Sequence, residues 1–514
     1  MNFDRNATTD YDVIVVGAGL GGLSAAAACS RSGLRVLTID AQSGPGGYAH
    51  AFDRGPYRFD PAVHVTSLAH QGEFLNEYLS ALGALDAVEF LDLDEFYGVD
   101  LPGFQMTVPH GQEPFVDAHV RQWPHERAGI ESLIKLCRAV FDESQQVGTR
   151  TSWRDLDAAV SGFPLMFGHR MSTVADIVNP LINDPGARTA LTALWPYMGV
   201  PPSRLTFTGF CSMLMSMLDR GPSYCKGGFQ SLADALAGVI ESNGGILLYS
   251  TRVDKILVTD GRARGVRLTD GTTVRADAVV SNVDGIRTMR ELVGAEQLPA
   301  GYLRRLDRLT PSWSAFVLFV ATTLDVSQFA PAHETFVFDH WDHDQSERAI
   351  RSGRPGGMWM SVPSLVDPAM APAGEHTVVF STLASKDALP WTERKAEVET
   401  WMLDRLNALL PGISSCLTFC ESASPHTLAR YSGSESGAIY GWENTPRQSQ
   451  PKRVRASTPI GGLLLAGHWT EPGAGSLRVI LSGMRAAAAI LETTDPELFS
   501  LLRASPPKRV TVAR

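Results

Sequence analysis

YDVIVVGAGLGGLSAAAACSRSGLRVLTID, residues 11–40, is a strand, a glycine turn, a helix and a second strand. The apolar, β-branched run Tyr11–Gly17 reads as a buried parallel strand. Leu20–Ser32, with small residues from Ala25 to Ala28, reads as a helix packed closely on a sheet, and Leu34–Asp40 is the second strand. Gly17, Gly19 and Gly22 form GxGxxG between the first strand and the helix. The first glycine permits a tight turn, the second lets the backbone approach a pyrophosphate, and the third lets helix and strand pack closely. The free amides and dipole of the helix N-terminus favour the phosphate charge. Asp40 closes the second strand 23 residues after Gly17, where an acid accepts from a ribose hydroxyl pair. Strand, helix and acid in register predict a dinucleotide site.

Beyond Asp40 the texture changes several times. From about residue 75 to 220 the pattern is helical, without strand–helix alternation. Residues 227–285 return to α/β character, with a helix at Ser231–Ser242, a strand, a hairpin and another strand ending SNVD. Residues 300–440 mix strands such as SAFVLFVA with helices, and GGLLLAG is a last strand before PGAG and a helix over Ser476–Leu491. There is no internal repeat. These pieces predict an α/β fold with a discontinuous Rossmann-type dinucleotide domain from 11–75, 221–290 and 455–495. An inserted α+β substrate domain is expected from 76–220 and 291–454, and a C-terminal tail from 496–514.

Composition is that of a globular enzyme: 514 residues, 44% apolar and 19% charged, with 47 Gly and 31 Pro. It excludes a largely disordered, collagenous or coiled-coil chain. The net charge of −10 argues against nucleic acid as a partner. Six Cys show no CxxC pair, and Cys416 and Cys420 lack partners at zinc spacing, so reduced thiols and no metal are expected. Met1–Asp10 contains no apolar signal core, and no uncharged stretch approaches the ~20 residues that span a bilayer. The expected address is cytoplasmic, with peripheral membrane contact left open; the oligomeric state is not fixed.

Downstream blocks carry a resemblance. AQSGPGGYAHAFDRGPYRFDPAVHVTS follows Asp40; WPYMGVPPSRL stands at 195–205, YCKGGFQSLADAL at 224–236 and SGAIYGWENTPRQ at 436–448. GLLLAGHWTEPGAGSLRVILSGMRAA occupies 462–487. Together they resemble the phytoene desaturase, carotenoid isomerase and retinol saturase superfamily, within the wider amine-oxidase-like flavoproteins, over about residues 11–492. The resemblance implies FAD as cofactor and an apolar small molecule as substrate. The implied reaction desaturates, saturates or isomerises C–C double bonds of a conjugated polyene or other lipid-like molecule. The alternatives are a tailoring oxidoreductase acting on a polyketide or acyl polyene with a polar head, amine oxidation, and a flavin-free lipid carrier of the same fold.

The resemblance also assigns residues. Gly17, Gly19, Gly22, Asp40 and Gly47 would bind the cofactor. Gly467, His468, Glu471, Gly473, Ala474 and Gly475 would meet it in the last segment, with Trp469 packing nearby. Gly473–Gly475 opens the helix from Ser476, whose N-terminus would face the pyrimidine end of the flavin ring and favour negative charge there. Val253 stands at the position whose backbone meets the adenine, or is an ordinary buried strand residue. Three departures cluster around the ring: Ala62 replaces the usual Gly of FDxGx, His468 replaces Asp of GDxT, and Leu477-Arg478 replaces Pro-Gly. Arg478 either pairs with an anionic substrate group, tunes the flavin, or turns to solvent. His64 is a candidate catalytic acid or base, or a histidine bonded to backbone. Trp195, Tyr197, Met213 and Met217 are expected to line an apolar tunnel; the run CSMLMSML at 211–218 suits either that lining or core.

Overall fold

The computed structural model describes residues 10–146, 160–330, 332–449 and 452–504. Its first sheet grows around the strand Asp10–Val16, every residue of which from Val13 to Val16 is buried. That strand pairs in parallel with Val36–Ile39 on one side and Thr273–Ser281 on the other. Ile246–Leu248 extends the sheet beyond Val36–Ile39. Along the outer edge of Thr273–Ser281, one half pairs antiparallel with the hairpin strand Arg262–Leu268. The other half pairs in parallel with Leu463–Leu465, and Val253–Thr259 completes the hairpin. Segments far apart in sequence therefore meet on the one strand that runs into SNVD.

The first helix, Leu20–Arg31, is buried from Leu20 to Ser30. It packs between the helices Gln230–Ser242 and Ser476–Ile490. Alanines at 25–28 and 486–488 make that possible, because small side chains let helix backbones approach. The opposite face of the sheet is covered by Met289, Leu292, Trp442 and Trp469.

A second sheet runs, in spatial order, Leu417–Ala423, Ser314–Thr322, His376–Ala384, Gly356–Ser361, Glu334–Val337, Tyr97–Leu101 and Phe104–Val108. Period-two alternation splits the strand Ser314–Thr322. Phe316, Leu318 and Val320 pack with Met402 and Leu406 of the helix Trp391–Leu409, while Ala315, Val317 and Phe319 face the hairpin Phe52–Phe59. Helices within residues 112–146 and 164–218 cover the Tyr97–Val108 end.

Two expectations need correction. The stretch from 75 to 220 is not purely helical: Phe90–Asp92 and the hairpin Tyr97–Val108 lie within it. YGVDL hides its strand character because all five residues are buried, so no alternation shows. Its Asp100 is matched by Arg405 at 2.9 Å. The C-terminal piece from 496 is not a tail up to residue 504. Asp495–Ala504 is a helix that buries Leu498 and Leu502 against Phe74–Leu82, with Phe499 5.8 Å from Tyr78. Residues 505–514, Met1–Thr9 and the remaining gaps lie outside the described residues. No described helix is long and apolar enough to cross a membrane.

Candidate active site

A cavity of about 1160 Å³ runs from the glycine turn after the first strand to the helices of the second unit. Single-ligand sites usually occupy ~300–1,000 Å³, so this cavity exceeds the upper end of that range.

The cofactor half is built by backbone proximity. Gly17 has φ +100°, a left-handed region that L side chains avoid. A Cβ on Gly22 would stand 2.0 Å from the Gly17 carbonyl oxygen, so the third glycine serves packing and does not line the cavity. A Cβ on Gly19 would come within 2.9 Å of the Asn282 amide nitrogen. The Gly46 amide donates to Ala18 O at 2.8 Å, and Gly47 takes φ +58° opposite Gly19. Asp40 lies on the cavity wall, where its carboxylate accepts from the amides of Ala18 (2.6 Å) and Gln42 (2.7 Å). Burial raises its pKa while those donors oppose the shift. Val253, first in its strand, also reaches the wall. Glycines that cannot carry a side chain, an acid at the strand end and an unbroken cavity between them fit FAD.

The ring-end wall comes from the last segment. Gly467 has φ +86° and donates its amide to Ser482 Oγ at 3.0 Å. Gly467, His468, Ala474 and Gly475 line the cavity. Glu471 and Gly473 do not. Glu471 is turned away beneath the loop, its amide bonded to Val454 O and its carboxyl near Arg485, Arg455 and Arg305. Gly473 backs onto Arg453, whose Cζ would lie 3.3 Å from a Cβ there. Arg453 was invisible in the sequence. It is 1% exposed and donates to the carbonyls of Tyr440, Trp442 and His468 and to Asn444 Oδ1. Burial, with Arg478 nearby, pulls its pKa down to about 9, so it remains charged at neutral pH. Burial and Arg453 together push His468 down to about 3, which keeps that imidazole neutral.

The other arm of the cavity is lined by Tyr197, Met213 and Met217, with Phe319 and Trp359. Trp195 is a correction: it is fully buried and packs against Phe338 and His343. Trp195–Met198 is a 3₁₀ turn, so residues two apart point to different sides, and only Tyr197 and Met198 face the cavity. His64 reaches the wall, but both ring nitrogens are engaged. Nδ1 accepts from Trp359 Nε1 at 3.4 Å and Nε2 donates to Asp60 O at 3.3 Å. Burial and His333 lower its pKa to about 3. Behind it Glu334, 2% exposed, accepts from Tyr197 Oη, while its Oε1 has no hydrogen-bond partner. Burial pushes Glu334 up to about 8, so it is largely protonated at neutral pH. Neither Arg453 nor Glu334 carries a motif; only the fold buries them.

Arg478, in the first turn of Ser476–Ile490, lies on the cavity wall and donates to Gly209 O at 3.3 Å. Glu471 does not pair with it; among the described residues no carboxylate does.

The sequence profile described as flavin containing amine oxidoreductase matches residues 20–491. Over 501 residues the chain is 29% identical to the phytoene desaturase (neurosporene-forming) of Rhodobacter capsulatus, covering 94% of each. It is 27% identical to prolycopene isomerase 2, chloroplastic, of an Oncidium hybrid cultivar, covering 93% of this chain and 83% of that one. An oxidoreductase from Methanosarcina mazei shares the fold at TM-score 0.64 and 18% identity, over 94% of this chain and 100% of the other. With the family match spanning residues 20–491 and similarity to the desaturase spanning nearly the whole chain, the protein belongs to the flavin-containing amine oxidoreductase family and is an FAD-dependent oxidoreductase.

Proposed function

We propose that the protein desaturates, saturates or isomerises C–C double bonds of a conjugated polyene bound in the arm between Tyr197, Met213, Met217 and Phe319. The observation that carries this reading is an apolar arm, walled by Tyr197, Met213, Met217, Phe319 and Trp359, in which neither buried candidate base, His64 nor Glu334, is free to take a proton. His64 has no free nitrogen and Glu334 holds its proton. A hydrocarbon carbon offers no acidic proton, so a site for it needs positioning more than acid–base chemistry. The names of the desaturase and isomerase relatives support the same substrate class.

FAD bound along the glycine turn supplies the hydride acceptor or donor. Gly17, Gly19 and Gly47 would admit its pyrophosphate, and Asp40 would accept from its ribose. Ala474 and Gly475 would bring the helix N-terminus to the ring. Met213 and Met217, flexible and apolar, would mould to a long chain and exclude water. Tyr197, held by Glu334, would fix one wall in place. His64, neutral and bonded on both sides, would act as wall and not as base.

The test is incubation of FAD-loaded protein with phytoene, prolycopene and a simple primary amine in detergent micelles, followed by chromatography with absorbance detection. A polyene product with a changed number or geometry of double bonds is expected. Turnover of the amine with no change in either polyene would overturn the proposal.

A further inference from the structure

We propose that the cavity contains a carboxylate-binding subsite centred on Arg478, so that the native substrate is a polyene with an acidic end group. This deepens the reading above and rests on it.

A guanidinium carries five N–H donors in a rigid fork and is always charged. Among the described residues Arg478 has a single long bond, to Gly209 O. Burial draws its pKa down to about 10, which leaves it protonated at any physiological pH. A second uncompensated cation stands close by, since among the described residues Arg453 bonds only to carbonyls and an amide oxygen. The N-terminus of Ser476–Ile490 adds partial positive charge of the same sign. Arg478 on the wall, Arg453 behind Gly473 and the helix N-terminus therefore place positive potential on one side of the cavity, and among the described residues no carboxylate pairs with either guanidinium.

The neighbouring surface is polar to match. Gly209, Ser212 and Ser216 recur at helical spacing on Phe207–Leu218, and both serines line the cavity beside Met213 and Met217. Ser476 Oγ donates to Thr66 Oγ1 at 3.0 Å, and both residues are also on the wall. A pure hydrocarbon lodged here would strip water from Arg478 and return no acceptor, which is costly for a charged group. A carboxylate takes the fork in two parallel bonds and neutralises the charge.

Arg478 could instead serve the flavin, and the experiment separates the two. FAD-loaded wild type, Arg478→Gln and Arg478→Lys are titrated with cis-parinaric acid, a fluorescent polyene carboxylate, and with its methyl ester. The flavin midpoint potential and flavin content are measured on the same samples. Charge-assisted bonds should make wild type bind the acid roughly ten-fold or more tighter than the ester. Arg478→Gln should bring the acid to the ester's affinity, Arg478→Lys should restore part of the difference, and flavin content should hold. Equal binding of acid and ester by wild type overturns the subsite and leaves the polyene reading standing. An unchanged acid-to-ester ratio in Arg478→Gln with a shifted potential assigns Arg478 to the cofactor and also overturns it. Failure of both probes to bind wild type overturns both readings. If Arg478→Gln does not fold, the wild-type ratio and Arg478→Lys decide the question.

Discussion

Gly22 shows how much one atom can decide. Alanine there would place a methyl carbon 2.0 Å from a carbonyl oxygen, whereas Gly44 faces open space. Gly22→Ala should yield little folded, yellow protein, and Gly44→Ala should match wild type in melting temperature when both are free of flavin. Asp40→Ala should weaken FAD binding by ~1–3 kcal/mol, because ribose hydroxyls lose an acceptor and the amides of Ala18 and Gln42 lose theirs. Flavin retained after serial dilution checks it, and unchanged retention would count against the assigned role. Glu334 gives a pH signature. Its carboxyl is raised from an ordinary 4.5 to about 8, so the folded state holds a proton that the unfolded chain releases. The resulting stability is fully present below about pH 4.5 and is lost as pH rises toward 8. Glu334→Gln, which cannot ionise, should flatten the fall in melting temperature between pH 5 and 8 and melt higher than wild type at pH 8. A parallel fall in both proteins would refute the burial account. The glycines and Asp40 were legible because they answer to backbone geometry within thirty residues of sequence; Glu334 and Arg453 were not, because burial by distant segments gives them their properties.

Helix crossing sets the next scale. Gly483 meets the Gly21 carbonyl so closely that a Cβ would lie 2.0 Å from it, and Ser24 Oγ donates to Ile480 O at 2.8 Å. The helices Leu20–Arg31 and Ser476–Ile490 are thereby locked with both N-termini toward the cofactor cavity. Gly483→Leu should force them apart and lose flavin together with stability, measured by thermal melting and bound-flavin absorbance. The C-terminal helix makes a comparable claim. Leu498→Ala should cost ~2–5 kcal/mol from the cavity it leaves against Phe74–Leu82. Retention of the wild-type melting temperature would mean the helix is not docked. That helix and the Tyr97–Val108 hairpin escaped the sequence reading for one reason. Neither offers a legible period: the helix of 10 residues is too short for its apolar stripe to stand out, and Tyr97–Leu101 is buried throughout and shows no alternation.

At the scale of the whole molecule, the cavity walls are drawn from both sheets and from the first and last helices. A ligand that bridges them binds the folded state alone and so stabilises it by mass action, about 2.7 kcal/mol at a hundred-fold excess over Kd. Removal of FAD should lower the melting temperature, and readdition should restore it in a concentration-dependent way. A melting temperature indifferent to FAD would mean that the cavity is not the cofactor site.

By itself the sequence determined the dinucleotide turn, the acid that follows it, the order of the α/β segments and the family. Those are properties of short, contiguous stretches whose backbone requirements leave a direct mark on residue type. Tertiary structure alone decided which candidates reach the cavity. It turned Trp195 into the core and Glu471 and Gly473 behind the loop, kept Tyr197, Met213 and Met217 at the wall, and left Arg478 there without a carboxylate. Orientation, desolvation and partnering arise from residues hundreds of positions apart, so no local pattern could have carried them.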